Sequence, residues 1–372
     1  MGAKQVHYNI DNIDKENANY NLIYGEKSNG KSYQVKHKKA LNPYIENKRR
    51  FILQRRFRED LTKTWVSQYF ADCDIERITN GVYNSVTKYS NEIYFSKINE
   101  DFKEKRGEKI GYAIPLSLEQ RFSSGSFLDV DNIIFEEFMS RGIYLANEPN
   151  KLMTFYSTVD RKQGRVKLWL VGNTVSKICP YLNDWGLMTI MKKQKQGEIK
   201  TKIIHNEEND VKIAIEYCKS SGGKTMAIGS AKQMIDSGEW QVDKQPILPL
   251  SYKEYKMLFR IGFLYKGFKF LGELLKNNIT NEICWFIYPY YKEFSENMLV
   301  FSDVVCLNQL WQKDIYKITL NNSKIQNILN TFRESMIFYA SDMTGTDFKQ
   351  AIDFIIRKWK NVRLSKRIIA RF

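Results

Sequence analysis

Eight residues constrain this chain more than any other feature: "GEKSNGKS", Gly25 to Ser32. They satisfy G-x-x-x-x-G-K-[ST]. The apolar run "NLIY" (21–24) before them and "KSYQVKHKKAL" (31–41) after them supply the strand and helix that the pattern needs. Gly25 and Gly30 free the backbone to turn its N–H groups inward toward phosphate oxygens. The N-terminus of the following helix adds partial positive charge. On this reading Gly25, Glu26, Lys27, Ser28, Asn29, Gly30, Lys31, Ser32 and Tyr33 line ATP, Lys31 reaches the β- and γ-phosphates, and Ser32 ligates Mg2+. A flexible surface turn is the competing reading, and the remainder of the chain has to decide between them.

A nucleotide loop needs a second strand that delivers carboxylates. "NIIFEEF" (132–138) is an apolar strand that closes on Glu136 and Glu137. Glu136 is placed to hold Mg2+, and Glu137 to polarise the attacking water; two acids at an ordinary strand exit are the alternative. The next strand, "RVKLWLVGN" (165–173), ends on Asn173, whose amide can sense the γ-phosphate or place the water; a turn asparagine is the alternative. Arg161 and Arg165, in "TVDRKQGRVKLW", lie between a helix and that strand. They read either as solubilising arginines or as groups that steady transition-state charge across a subunit boundary.

Around these motifs the first half alternates short apolar runs with helical stretches, the pattern of a parallel sheet wrapped by helices. "FILQRR" (51–56) is the next strand. A helix is expected in "EDLTKTWVSQYFADC" (59–73). "EIYFSKI" (92–98) and "IGYAIPLS" (110–117) form a strand pair joined by the charged turn "NEDFKEKRGEK". Asn147 caps a helix over 147–161. From about residue 190 the texture becomes polar, and "MKKQKQGEIKTK" and "KSSGGK" read as linker. An aromatic-rich unit then begins after "QPILPLS" (245–251). The expected division is 1–205, a linker 206–245, and 246–372.

Formal net charge is +16, from 58 Lys and Arg against 42 Asp and Glu, which favours a polyanionic partner. The basic end, with Arg357, Lys358, Lys360, Arg363, Lys366 and Arg367, suits a nucleic-acid backbone read without regard to sequence; a membrane surface, and apolar packing on the domain with the charges solvated, are the alternatives. The five scattered cysteines form no metal or disulfide pattern, and no apolar run reaches a membrane span. The expected setting is a reducing cytoplasm with no membrane partner.

In order and spacing, "IYGEKSNGKSY", "FILQRRF", "GYAIPLS", "NIIFEEF", "STVDRKQGRV" and "GNTVSKICPYL" resemble the DNA-packaging ATPases of phi29-like tailed bacteriophages. The resemblance covers roughly residues 20 to 182. It implies an α/β fold: a P-loop ATPase domain of the ASCE type with a parallel sheet, then a C-terminal α+β unit, an RNase H-like nuclease relic. It also implies a viral motor that drives double-stranded DNA into an empty prohead with ATP. Such a motor works in the host cytoplasm as a homo-oligomeric ring, five subunits in the family, at a portal vertex carrying a structural prohead RNA.

By the same resemblance Glu137 matches the catalytic glutamate, and Glu136 stands where the family usually has Asp. Arg161 matches an arginine finger acting in trans, with Arg165 the fallback. Arg121 stands near a further trans-acting basic residue. Arg55 and Arg56 match a basic pair tied to sensing the nucleotide or the partner subunit. In the C-terminal unit Glu273 or Asp303 would have to serve as nuclease carboxylates, without clear partners. Two other functions stay open: another nucleic-acid ATPase such as a helicase, or a virion protein that nucleotide locks into an assembly. DNA-stimulated hydrolysis separates the latter from the enzymes.

Overall fold

The computed structural model describes residues 7–140, 144–206, 209–224, 226, 228–229, 231–265, 267–302, 311–314, 327, 330–332 and 334–359, with the backbone alone given for 231, 233, 311–314 and 353–359. Two compact units emerge: Met1–Val175 with Asp184–Gln241, and Ser176–Asn183 with Val242–Phe372. The fold is α/β.

The first unit is built on nine strands: β1 (Tyr20–Gly25), β2 (Arg50–Gln54), β3 (Ser85–Tyr89), β4 (Glu92–Ile98), β5 (Glu104–Ala113), β6 (Val130–Glu136), β7 (Lys167–Asn173), β8 (Glu198–Ile204) and β9 (Val211–Tyr217). Their order across the sheet is β3-β4-β5-β2-β6-β7-β1-β9-β8. The six strands from β5 to β9 run parallel, while β3, β4 and β8 pair antiparallel at the two edges. Both faces of a parallel sheet are covered, so its central strands are near-continuous apolar runs. Accordingly Leu22, Ile23, Phe51, Ile52, Leu53, Ile133, Ile134, Phe135, Leu168, Trp169 and Leu170 are all buried. β7 lies between the loop-bearing β1 and the acid-bearing β6. Registers Gly25↔Asn173 and Glu136↔Val171 bring the loop, the amide and the acids out at one edge of the sheet.

Three local expectations need correction. The charged turn between β4 and β5 is shorter than the charge run, because β5 already starts at Glu104 and its first residues are exposed. A two-stranded ribbon satisfies its own backbone hydrogen bonds, so it extends into solvent with polar side chains. The stretch read as linker holds β8 and β9, and β9 pairs along β1 from Tyr20↔Ile213 to Tyr24↔Tyr217. β8 reads as linker because none of its residues is fully buried and charged or polar residues fill four of the seven places in "EIKTKII". Asn147 precedes the helix Glu148–Asp160 but makes no side-chain cap, since its own backbone is left-handed at φ 56°.

The second unit contains β10 (Tyr255–Tyr265), β11 (Phe268–Asn277), β12 (Ile283–Pro289), β13 (Leu299–Ser302), β14 (Trp311–Asp314) and β15 (Met336–Tyr339), in the order β14-β13-β10-β11-β12-β15. An antiparallel meander, β10 to β12, is extended on one side by parallel β13 and β14, the sheet expected of an RNase H-like unit. The helix Asp342–Trp359 packs on β12 and β15. Trp285 stacks on Phe332 at 4.1 Å, and Phe348 sits edge-on to Phe263 and Phe270. No helix among the described residues is long and apolar enough to cross a membrane.

Glu216 of β9 is buried beside the loop strand and accepts a 2.7 Å hydrogen bond from the Tyr8 hydroxyl. Burial pushes its carboxyl up to about 7. A carboxyl raised on folding destabilises the charged native state, so this contribution to stability is lost as pH rises from the ordinary carboxylate range through about 7. Glu216→Gln keeps an acceptor for Tyr8 without the charge. Relative to wild type, its melting temperature should rise at pH 8, on the order of 2–3 kcal/mol in stability, and the gain should vanish by pH 4.5 in thermal scans.

Candidate nucleotide site

Gly30 caps the helix Lys31–Val35 with a left-handed backbone, φ 96°, which an L side chain adopts only with strain. Three helical pieces then follow without a break, Lys31–Val35, the π-turn Lys36–Leu41 and Asn42–Asn47, which extends the helix expected over 31–41. Lys31 is buried at the start of this run. Its ammonium donates to the Glu26 carbonyl, to Asn29 Oδ1 at 3.1 Å and to Asn173 Oδ1 at 3.3 Å. Burial lowers its pKa, opposed in part by the nearby acids. A polyphosphate would supply the missing countercharge.

Ser32 Oγ donates to Glu136 Oε2 at 3.0 Å, and the Tyr69 hydroxyl donates to Glu136 Oε1 at 2.6 Å. Burial raises the Glu136 carboxyl, while these two hydroxyl bonds work in the opposite direction. Serine hydroxyl and carboxylate oxygens are the ligands a hard divalent cation takes, so Ser32 and Glu136 fit Mg2+. Glu137 sits just past β6 with φ 58°, its side chain 57% exposed, and its Oε2 accepts from Arg55 Nη2 at 2.8 Å. Lys31, Ser32, Glu136, Glu137 and Asn173 therefore leave three adjacent strands at one sheet edge.

The Glu26 side chain turns away from the loop's interior. Its buried carboxylate accepts from Ser220 Oγ at 2.7 Å, Ser221 N at 2.7 Å and Ser221 Oγ at 2.5 Å. A carboxylate facing phosphate would repel it, so Glu26 can lend a nucleotide only its backbone. "KSSGGK", read as flexible linker, thus braces the loop. Gly238 presses on it as well, where an added Cβ would stand 2.7 Å from Glu26 N. Lys27 is exposed and its N–H faces the Met234 carbonyl at 3.4 Å. Ser28 is left-handed at φ 66°, and Tyr33 packs its exposed ring 4.4 Å from the His37 ring.

The arginines separate by position. Arg161 lies at the C-terminal end of the helix Glu148–Asp160, exposed, with Nη2 on the Gly125 carbonyl at 3.0 Å. Arg165 donates to Val130 O, Phe127 O and Asp131 Oδ1, the last at 3.2 Å. Both belong to the start of β6 and β7, about 20 Å along seven-residue strands from the site at their far ends. Neither reaches the phosphate-loop motif of this chain. Arg121 is exposed beside Arg58, Lys63 and Lys88 around a basic cavity at the carboxyl end of β5.

Among described residues, Glu273 in the second unit is occupied by Arg260 at 2.5 Å and by the hydroxyls of Tyr252 and Tyr288. No group of three or more His, Cys, Asp or Glu arranged to hold a metal occurs among the described residues, and Asp303 lies outside them. Lys360, Arg363, Lys366 and Arg367 also lie outside; Arg357 and Lys358 continue the helix Asp342–Trp359, their side chains undescribed.

The profile of the podovirus DNA encapsidation protein (Gp16) family matches residues 2–342. The chain belongs to that family. It is 26% identical over 273 residues to the DNA packaging protein of Bacillus phage phi29, covering 71% of this chain and 74% of that protein. The DNA packaging protein of Bacillus phage PZA matches to the same extent, 26% over 273 residues. Among solved structures, the bacteriophage phi29 viral genome packaging motor assembly superposes with a TM-score of 0.53 at 20% identity, over 95% of this chain and 99% of that chain. That likeness is one of fold.

Within this encapsidation family fold the basic pair after β2 divides its labour. Arg55 meets Glu137, whereas Arg56 is buried in a two-pronged ion pair with Glu148 at 2.7 and 2.9 Å, its guanidinium 4.5 Å from the Tyr144 ring. Leu145 N and Arg56 together fix Glu148. Removing one partner of a buried pair strands the other charge. Arg56→Ala should therefore lose about 3–5 kcal/mol in urea unfolding, whereas Arg55→Ala should lose less than about 1.

Proposed function

We propose that the chain is the ATP-hydrolysing subunit of a motor that moves double-stranded DNA into an empty viral prohead. The observation that carries this reading is the convergence of Lys31, Ser32, Glu136, Glu137 and Asn173 at one edge of three adjacent parallel strands. Family membership supplies the task, and the excess of basic residues suits the polyanion.

Lys31 and the loop backbone bind the triphosphate, and Lys31 balances charge on the transferred phosphoryl group. Ser32 and Glu136 would hold Mg2+, which when bound neutralises phosphate charge. Glu137 accepts the proton of the attacking water. Arg55 holds one of its two carboxylate oxygens here and leaves the other to orient water. Asn173, bonded to Lys31, stands where it can report the γ-phosphate to β7. Arg161, remote from its own loop, serves a neighbour's site as the finger, which makes a ring the working assembly. A five-subunit ring docked on a portal with a structural RNA completes the reading, as the phi29-like resemblance implies. The C-terminal unit takes part in gripping nucleic acid and not in cutting it.

Turnover measured with and without duplex DNA tests the proposal. Stimulation by DNA is expected; none at any DNA concentration would sink the motor reading. Lys31→Ala should abolish nucleotide binding and turnover. Glu137→Gln should bind ATP normally yet lose at least about 100-fold in rate, and near-normal turnover would remove Glu137 from the base role. For the finger, rings mixed from Arg161→Ala and Lys31→Ala subunits should regain activity that neither has alone. Absence of recovery at every mixing ratio, with assembly confirmed by light scattering, argues against action in trans.

A further inference from the structure

The helix Lys63–Tyr69 lies outside every motif of the nucleotide site, yet it supports both acids. Tyr69 donates its hydroxyl to Glu136 Oε1 at 2.6 Å, opposite the Ser32 hydroxyl on Oε2. Trp65, one helical turn earlier, stacks on the Tyr69 ring at 5.0 Å and 20°. The Arg55 guanidinium, partner of Glu137, sits over the Trp65 ring at 5.0 Å. Residues four apart share a helix face, so one short helix presents a phenol to one carboxylate and an indole to the arginine that holds the other.

The helix is itself fixed to the nucleotide loop's helix. Thr62 Oγ1 caps it by accepting from Trp65 N at 3.1 Å, and at its far end the Lys36 ammonium donates to the Tyr69 carbonyl and to Asp72. Lys36 belongs to the helical run that begins at Lys31. The phenol therefore cannot drift relative to Ser32.

We propose that Tyr69 is a positioning residue for Mg2+-dependent ATP hydrolysis, pinning Glu136 so that the carboxylate faces the cation that Ser32 also contacts. Glutamate carries one more rotatable bond than aspartate, and a free carboxylate on that arm samples several rotamers. Two hydroxyl donors, one on each oxygen, reduce these to one. Tyr69 acts through Glu136. Trp65 acts in parallel through Arg55. The inference rests on the ATPase reading of the site.

The test compares wild type with Tyr69→Phe, which keeps the ring and its stack but removes the hydroxyl. The Mg2+ concentration for half-maximal turnover should rise about 10-fold, with kcat falling and KM for ATP moving less than about twofold. Affinity for a fluorescent ADP analogue should fall when Mg2+ is present and stay unchanged in EDTA, which also certifies an intact fold. In a Glu136→Gln background, Tyr69→Phe should make no further difference to Mg2+-dependent ADP binding, because the two act as one unit. With Glu136→Asp the shorter arm needs less steadying, and the penalty of Tyr69→Phe should shrink. Wild-type Mg2+ dependence in Tyr69→Phe, or an equal loss with Glu136 already replaced, overturns the proposal. A wild-type chain that never hydrolyses ATP sinks the motor reading instead, and Tyr69 is then judged by ADP binding, where the Mg2+ shift supports its role and a flat response refutes it.

Discussion

A buried ammonium fixes the logic of the first unit. Lys31 is out of water, and the acceptors around its nitrogen are a carbonyl and two amide oxygens rather than a carboxylate. Neutral acceptors satisfy its hydrogens without cancelling its charge, so the site retains an unspent attraction for anions. The nearby acids offset the burial of Lys31 only in part. Glu26, a potential competitor for the charge, is turned away and held by Ser220 and Ser221. Asn173, from the neighbouring strand, provides an oxygen without a negative charge. A carboxylate in its place would occupy Lys31 and leave less for phosphate.

The sheet makes this arrangement possible because parallel strands deliver their carboxyl ends to one edge. Inserting β7 between β1 and β6 sets the loop strand and the acid strand one strand apart, and the Ser32 hydroxyl still meets Glu136 across it at 3.0 Å. Glu136 and Glu137, adjacent in sequence, then meet opposite environments. The first is buried under two hydroxyls; the second is over half exposed and paired with Arg55. Two carboxylates with different surroundings can take different roles, one held still and one free to move.

How far the sequence reveals this depends on where the information resides. Central strands such as "NLIY", "FILQ" and "NIIF" are legible because burial on both faces gives each of them three consecutive apolar residues. The loop is legible because its spacing is dictated by phosphate geometry. β8 is hidden, since half of an edge strand's residues face water and resemble a polar linker. Arg55 and Arg56 are indistinguishable in a string, yet consecutive side chains leaving a strand point to opposite sides, so one reaches Glu137 and the other is buried on Glu148. Tyr69 and the Ser220–Ser221 brace pair with residues 67 and 194 or more positions away, and no local pattern announces such contacts.

Position also decides what a single chain cannot do. Strand polarity puts the loop and acids at the carboxyl ends of β1, β6 and β7, while Arg161 ends a helix that returns to their amino ends. A 13-residue helix spans about 20 Å, more than any arginine side chain covers. Arg165, held by two backbone carbonyls and the Asp131 carboxylate around the start of β6, is even less free to travel. Under the motor reading, charge stabilisation from this end of the sheet must come from the next subunit. An isolated subunit would then bind nucleotide through its own Lys31 yet hydrolyse it slowly, and assembly rather than binding would set the rate. Such an arrangement protects ATP until the ring is formed on its substrate, and it makes the order of firing a property of neighbours rather than of any one site.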